Sequence, residues 1–272
     1  MSPMLLQKID VPSDDTSITE LKFDGIRLIL SKHEDKTKLY TRHGTEVTNR
    51  FTELCQNDLP DGTILDGELV VLDERGKPSL ELIMSRFHTS RALGKLPVTF
   101  VVFDIIKYKN AWLNHIKLIK RKEILSEALP SHPNMTELKW IDGNAPEYFK
   151  VVQERGLEGI VVKNPNSRYY FNKRSSDWEK IINYQYIEGL VIGYRKNEFG
   201  LIIQSFDGKA WGIMEHMPVK NRREFFAMSR QQKINESKEY VYLSTPFPVK
   251  IKYRHFTSKG KLHIPVFNGW LI

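Results

Sequence analysis

Cysteine is almost missing from this chain. Cys55 is the only one in 272 residues, which excludes an internal disulfide and a cysteine-rich zinc site. The eight histidines fall without metal-ligand spacing. No apolar run approaches the ~20 residues that a membrane-spanning helix requires. The opening Met1-Ser2-Pro3-Met4-Leu5-Leu6 has no basic stretch ahead of an apolar one, so no secretory signal is expected. Internal repeats and low-complexity linkers are absent as well. Together these absences point to a reducing compartment, the cytoplasm, and to no membrane partner.

What is present is unevenly spread. The hydrophobic share, 40%, is ordinary for a globular protein, but the formal charge of +8 is concentrated at one end. From Ile187 to Ile272, 14 Lys/Arg stand against 7 Asp/Glu, whereas the preceding residues hold 27 bases and 26 acids. A basic segment joined to a neutral one implies a polyanionic partner for the last third, in the direction of nucleic acid.

The densest chemistry lies in Lys22-Phe23-Asp24-Gly25-Ile26-Arg27. An amine, a carboxylate and a guanidinium around a glycine suit a lysine that attacks phosphorus, with the arginine holding a polyanion. Lys-x-Asp-Gly equally fits a solvated hairpin turn. Downstream, Leu65-Asp66-Gly67-Glu68-Leu69-Val70-Val71 places two acids on one strand face in apolar company, where a carboxylate needs a cation, a metal or water. Glu158-Gly159-Ile160-Val161-Val162-Lys163 opens another apolar strand with an acid. Alternation puts its two charged ends on opposite faces, so one of them is expected just beyond regular pairing. Two hard oxygen ligands from distant segments suit Mg²⁺. Lys163 and Lys180 are candidate phosphate ligands, and Phe103 is either core or a ring that stacks on a purine.

Periodicity predicts strands at Ile26–Ser31, Lys38–Thr41, Ile64–Leu72, Val98–Ile106 and Ile160–Lys163. Helices are expected at Asn49–Asn57, Leu80–Phe87, Asn114–Leu129 and Ala145–Arg155, the third carrying Ile116, Ile119, Ile124 and Leu125 on its apolar stripe. This mixture is an α+β domain over residues 1–185. Residues 186–272 read as an all-β barrel. Strands at Gly189–Tyr194, Leu201–Phe206 and Ala210–Ile213 precede a helix at Lys220–Ser229, and strands at Tyr240–Leu243 and Val249–Tyr253 follow it. That order is the Greek-key OB-fold, which often binds oligonucleotides.

In sequence order, Glu20–Arg27, Thr41-Arg42-His43-Gly44, Leu65–Glu68, Phe100–Asp104, Glu158–Lys163 and Trp178-Glu179-Lys180 resemble the motifs of the covalent nucleotidyltransferase superfamily, most closely the small ATP-dependent DNA ligases. The resemblance implies a nucleotidyltransferase (ATP-grasp-like adenylation) domain followed by an OB-fold. It implies that Lys22 is the nucleophile that takes AMP from ATP. It assigns Glu20 and Phe103 to the base, Leu21 to the nucleotide, Glu68 to ribose or metal, and Glu158 to metal. Arg27, Arg42, Lys163 and Lys180 are assigned to ribose and phosphates, with Arg42 also passing to DNA. Lys250, Lys252, Arg254, Lys259 and Lys261 are assigned to DNA. The expected cofactors are ATP and Mg²⁺, with Mn²⁺ substituting, and the expected partner of the monomer is nicked duplex DNA. An RNA ligase, a capping-type nucleotidyltransferase and a catalytically weak nucleic-acid-binding relative are the alternatives. Two departures stand out. The family's Trp-x-Lys-x-Lys ends here in Ile182, and the tail Ile264–Ile272 lacks the basic motif that orients the leaving pyrophosphate.

Overall fold

The computed structural model describes residues 2–12, 17–88 and 96–271. These residues form seventeen strands and four α-helices, mostly β with few helices. They divide into two compact units, Met1–Asn183 and Tyr184–Ile272. Among them no helix is long and apolar enough to cross a membrane.

The first unit begins with β1 (Leu5–Lys8), β2 (Ile18–Lys22), β3 (Ile26–His33), β4 (Lys36–Thr41) and β5 (Thr63–Val70). It continues with α1 (Leu80–His88), β6 (Thr99–Tyr108), β7 (Ala111–Trp112), α2 (Leu118–Ala128) and β8 (Met135–Glu137). It ends with β9 (Trp140–Asp142), α3 (Ala145–Glu154), β10 (Gly159–Lys163) and β11 (Arg174–Ile182). Two sheets result, ordered β1-β11-β10-β2-β9 and β4-β3-β5-β6-β7, with β8 added beside β6.

Alternation along the strands sorts the apolar side chains into three layers. On one face of the second sheet, Leu28, Leu65, Phe100 and Val102 are buried against Ile83 of α1 and Leu125 of α2. From its other face, Val70, Val101 and Phe103 meet Ile18 and Trp178 of the first sheet. Behind that first sheet, Ile160, Val162 and Ile181 lie under Val152 of α3. The order is helix, sheet, sheet, helix, and the cleft described below lies between the sheets.

Asp66 and Asp104 stand opposite each other on β5 and β6, both fully buried. Each has its own arginine. Arg27 grips Asp66 through Nε and Nη2, both at 2.6 Å. Arg121 of α2 grips Asp104 through the same two nitrogens at 2.8 Å. Bidentate pairing is the geometry that offsets desolvation of such ions.

The second unit contains β12 (Gln185–Arg195), β13 (Leu201–Gln204), β14 (Ala210–Met214), α4 (Val219–Ser229), β15 (Lys233–Glu236), β16 (Tyr240–Tyr253) and β17 (Val266–Trp270). Its sheet runs β14-β13-β12-β16-β15, with β17 on β16. Val191, Ile203, Trp211, Phe225, Val249 and Ile251 are in its core.

Several sequence expectations need correction. Asn49–Asn57 is two 3₁₀ turns, Thr48–Arg50 and Thr52–Leu54. Between them Phe51 leaves helical geometry (φ −134°, ψ 53°) and is fully buried. The third helix starts at Leu118 rather than Asn114, where the carbonyls of Ser167 and Pro165 accept the N–H groups of Leu118 and Ile119. Its buried stripe is Leu118, Arg121, Lys122, Leu125 and Ala128, a register different from the isoleucine stripe. The two strands expected after α4 are one, β16, despite Pro246 and Pro248. Its ladder to β12 jumps from Val191↔Phe247 to Gly193↔Tyr242, so Leu243–Pro246 make no rungs to β12 and Pro246 needs no N–H there. The strands expected at Ile26–Ser31 and Lys38–Thr41 extend to His33 and from Lys36, joined by Glu34-Asp35, both at positive φ (50° and 57°). The tail's last residue, Ile272, lies outside the described residues.

Candidate active site

Register builds the floor of the cleft. Across β2, β10 and β11, three rungs align: Lys22–Gly159–Ile182, Glu20–Val161–Lys180 and Ile18–Lys163–Trp178. Residues opposed on a ladder, and those two apart on a strand, share a face. Lys22, Glu20, Lys163 and Lys180 therefore all rise from one side of this sheet. Arg27, Glu68 and Phe103 approach from the facing sheet, and the cleft is lined by these three with Leu6, Leu21, Phe23, Leu138, Val161 and Trp178, together with Glu20, Lys22 and Lys163.

Lys22 Nζ lies 2.7 Å from both carboxylate oxygens of Glu158. Glu158 precedes β10 by one residue, and its side chain is 6% exposed. The glycine that follows is sterically required, because a Cβ on Gly159 would sit 2.1 Å from the Ile181 carbonyl oxygen. It also leaves the middle of the first rung without a side chain, between Lys22 and Ile182.

Glu68 stands opposite Arg27 on the neighbouring strand. Desolvation pushes its carboxyl up to about 7; Lys22 and Arg27 pull it down, while Glu158 and Asp66 push it further up. The mutual repulsion places Glu68 and Glu158 in one electrostatic neighbourhood. Two hard-oxygen donors whose charges repel fit a divalent cation, which relieves the repulsion.

Glu20 and Lys163 meet at 2.6 Å, with side chains 1% and 2% exposed. Burial pulls the Lys163 ammonium down to about 8; Glu20 raises it and Lys122 lowers it. The same ammonium lies 4.6 Å from the Phe103 ring centre and 4.1 Å from that of Trp178. Arg27 is also 4.6 Å from the Phe103 ring centre, so two cations already use that ring. Besides Asp66, Arg27 donates to the Met4 carbonyl oxygen at 3.3 Å, and Asp66 lifts its proton affinity above the ordinary arginine value against the desolvation that opposes it. Tyr169 Oη donates to Asp66 at 2.6 Å, and burial followed by Asp66 raises the phenol well above its usual range.

The remaining sequence candidates lie elsewhere. Lys180 shares the floor's face but is not among the lining residues, and Arg42 is exposed after β4. Lys250, Lys252, Arg254, Lys259 and Lys261 belong to the second unit. Lys250 lies 3.9 Å from Glu188, Lys252 sits 5.0 Å from the Tyr184 ring centre, and Lys259 and Lys261 are exposed at the turn where Thr257 N–H donates to the Lys261 carbonyl oxygen.

Sequence reasoning missed Arg121, Lys122 and Tyr169. For the first two a signal existed: charged residues at 121 and 122 fall on the 118/125 stripe, so an inward face carrying two bases requires buried acids on the sheet beneath. Tyr169 had no such signal, since it lies outside any strand or helix.

Residues 3–181 match the family model described as ATP dependent DNA ligase domain. The chain is 43% identical to the SPbeta prophage-derived DNA ligase-like protein LigB of Bacillus subtilis (strain 168), over 100% of this chain and 99% of that protein. It is 25% identical to the multifunctional non-homologous end joining DNA repair protein LigD of Mycobacterium tuberculosis (strain ATCC 25618 / H37Rv), over 92% of this chain but 35% of that one. Among solved structures, mycobacterial DNA ligase D complexed with ATP and MES superimposes with a TM-score of 0.61 at 23% identity, covering 99% of this chain and 94% of that one. A Lig E DNA ligase superimposes with a TM-score of 0.68 at 17% identity, covering 100% and 99%. At these identities the superpositions show a common fold.

Proposed function

Because this chain belongs to the ATP-dependent DNA ligase family, enzymes that use ATP and a divalent metal, we propose that it seals 5′-phosphate/3′-hydroxyl nicks in duplex DNA through an AMP adduct on Lys22. The observation that carries the residue assignment is the Lys22–Glu158 pair on the cleft floor, facing Glu68 and Arg27.

Lys22 Nζ attacks the α-phosphorus of ATP. The N–P bond forms as the bond to the bridging oxygen breaks, and pyrophosphate leaves. AMP then passes to the 5′-phosphate at the nick, and the 3′-hydroxyl displaces it to form the phosphodiester. The amine must first lose its proton, and an ammonium held at 2.7 Å by a carboxylate is a poor nucleophile. Glu158 and Glu68 would hold the metal, for which Mg²⁺ is the natural choice and Mn²⁺ a substitute. A cation held by these two carboxylates would supply stabilisation of charge on the phosphate, and Glu158 would then have a partner other than the Lys22 amine. Adduct formation should therefore require a divalent cation and rise with pH.

Glu20 and Phe103 face the adenine in this reading, and Leu21, whose side chain packs behind the sheet, meets the nucleotide through its backbone. Arg27, Lys163 and Lys180 face the ribose and phosphates, and Arg42 the nick phosphate. Arg27 and Lys163 then exchange part of their present pairing for the nucleotide. The first unit acts as the α+β adenylation domain, and the second as an OB-fold whose Lys250, Lys252, Arg254, Lys259 and Lys261 bind DNA phosphates. The enzyme works as a monomer, and its lone cysteine suits the reducing cytoplasm. With nicked duplex, ATP and Mg²⁺, wild type should yield sealed strand and Lys22→Ala none. Sealing by the alanine variant would overturn the assignment, and labelling by GTP in preference to ATP would favour a capping-type enzyme.

A further inference from the structure

The mechanism above leaves Lys122 unused, although it is one of the most deeply buried charges in the first unit. It projects from α2, its side chain is 1% exposed, and its ammonium donates to Oε1 of Glu20. The other oxygen, Oε2, is taken by Lys163 at 2.6 Å. Glu20 and Lys163 line the cleft, whereas Lys122 stands behind them. One acid between two bases leaves the cluster with an excess positive charge in a dry interior.

One ammonium is enough to neutralise Glu20. A second adds desolvation cost, and nothing in charge balance requires it. What it adds is constraint. With both oxygens engaged, the carboxylate cannot rotate, and it cannot take up a proton without displacing an ammonium. Toward the cleft it offers hydrogen-bond acceptors only. Such an edge matches a base carrying an exocyclic amine and opposes one carrying a carbonyl at that place.

We propose that Lys122 is a positioning residue for donor-base selection, clamping Glu20 as an acceptor-only edge that favours a 6-amino over a 6-oxo purine nucleoside triphosphate. The inference rests on the reading that Glu20 faces the base. Without Lys122, Oε1 is left buried and unpaired, and Glu20 relieves this by turning toward Lys163. That rotation weakens the bias against a carbonyl.

The test compares ATP with inosine triphosphate, which carries a carbonyl where adenine has its amine. The readout is the ratio of kcat/KM values for adduct formation on Lys22. Both values come from one preparation, so the ratio is unaffected by how much of it is folded. Wild type should prefer ATP by ~100-fold or more. Lys122→Met, close in volume and uncharged, should shrink the ratio by ~10-fold or more, and Lys122→Arg should largely keep it. If methionine prevents folding, Lys122→Gln carries the same expectation. An unchanged ratio in Lys122→Met alongside a collapsed ratio in Glu20→Gln would overturn the proposal. An unchanged ratio in both would instead overturn the placement of Glu20 against the base.

Discussion

Glu68→Gln should make the protein more stable and less active at once. In the metal-free protein the Glu68 carboxyl is pushed from 4.5 to about 7, chiefly by loss of water. Because its native value is raised, the folded state binds more protons than the unfolded state between those limits, and stability falls as pH rises through the window. Above about 7 the whole penalty is in force. At about 1.4 kcal/mol per pKa unit, the displacement amounts to about 3 kcal/mol for a dry site. Glu68 is only partly buried, so about 1–3 kcal/mol is the expected range. Glutamine keeps the shape and has no charge to desolvate. Urea denaturation with chelator present, at pH 5 and pH 8, should show wild type losing stability between the two. The variant should lose less, and should exceed wild type at pH 8. Its AMP-adduct formation with Mg²⁺ should fall by ~10-fold or more, since a charged oxygen donor is gone. A variant that is no more stable than wild type at pH 8 would refute the argument from desolvation.

Asp66→Ala strands the Arg27 guanidinium and the Tyr169 hydroxyl together, and should cost about 3–5 kcal/mol in chemical denaturation. A loss below about 1 kcal/mol would show that water or another group replaces the aspartate. Ile182→Lys places an amine on the rung of Gly159 and Lys22. It should speed adduct formation from free ATP more than sealing of pre-adenylated nicks, while destabilising the fold because position 182 is buried. Equal effects on both steps would contradict a role for position 182 specific to adduct formation. Affinity for nicked DNA should fall steeply with salt. Replacing Lys250 and Lys252 by alanine should flatten the log–log slope by about 0.9 for each phosphate that is no longer neutralised. An unchanged slope would take these lysines out of the interface.

The Lys22–Glu158 pair and Glu68 were legible because their chemistry is local. Lys22 is marked by the glycine and arginine beside it, and Glu158 by its place just ahead of an apolar strand that starts at Gly159. Less legible were elements whose reason for existing lies far along the chain. β11, from Arg174 to Ile182, reads as polar because Arg174–Asp177 and Glu179-Lys180 flank its one buried aromatic, Trp178, and β1 becomes a strand by pairing with it from the other end of the first unit. The inward face of α2 misled for a related cause. Arg121 and Lys122 look like surface charges until Asp104 and Glu20 are beneath them. The prolines of β16 likewise signal a break in sequence, although the ladder jump there leaves the strand continuous.

The most direct test of the whole account is to incubate the protein with ATP and Mg²⁺, digest it, and locate the nucleotide by mass spectrometry. AMP should be found on the ε-amine of Lys22, and chelator or Lys22→Ala should abolish it. An adduct on any other side chain, or none from wild type with any donor, would contradict the account.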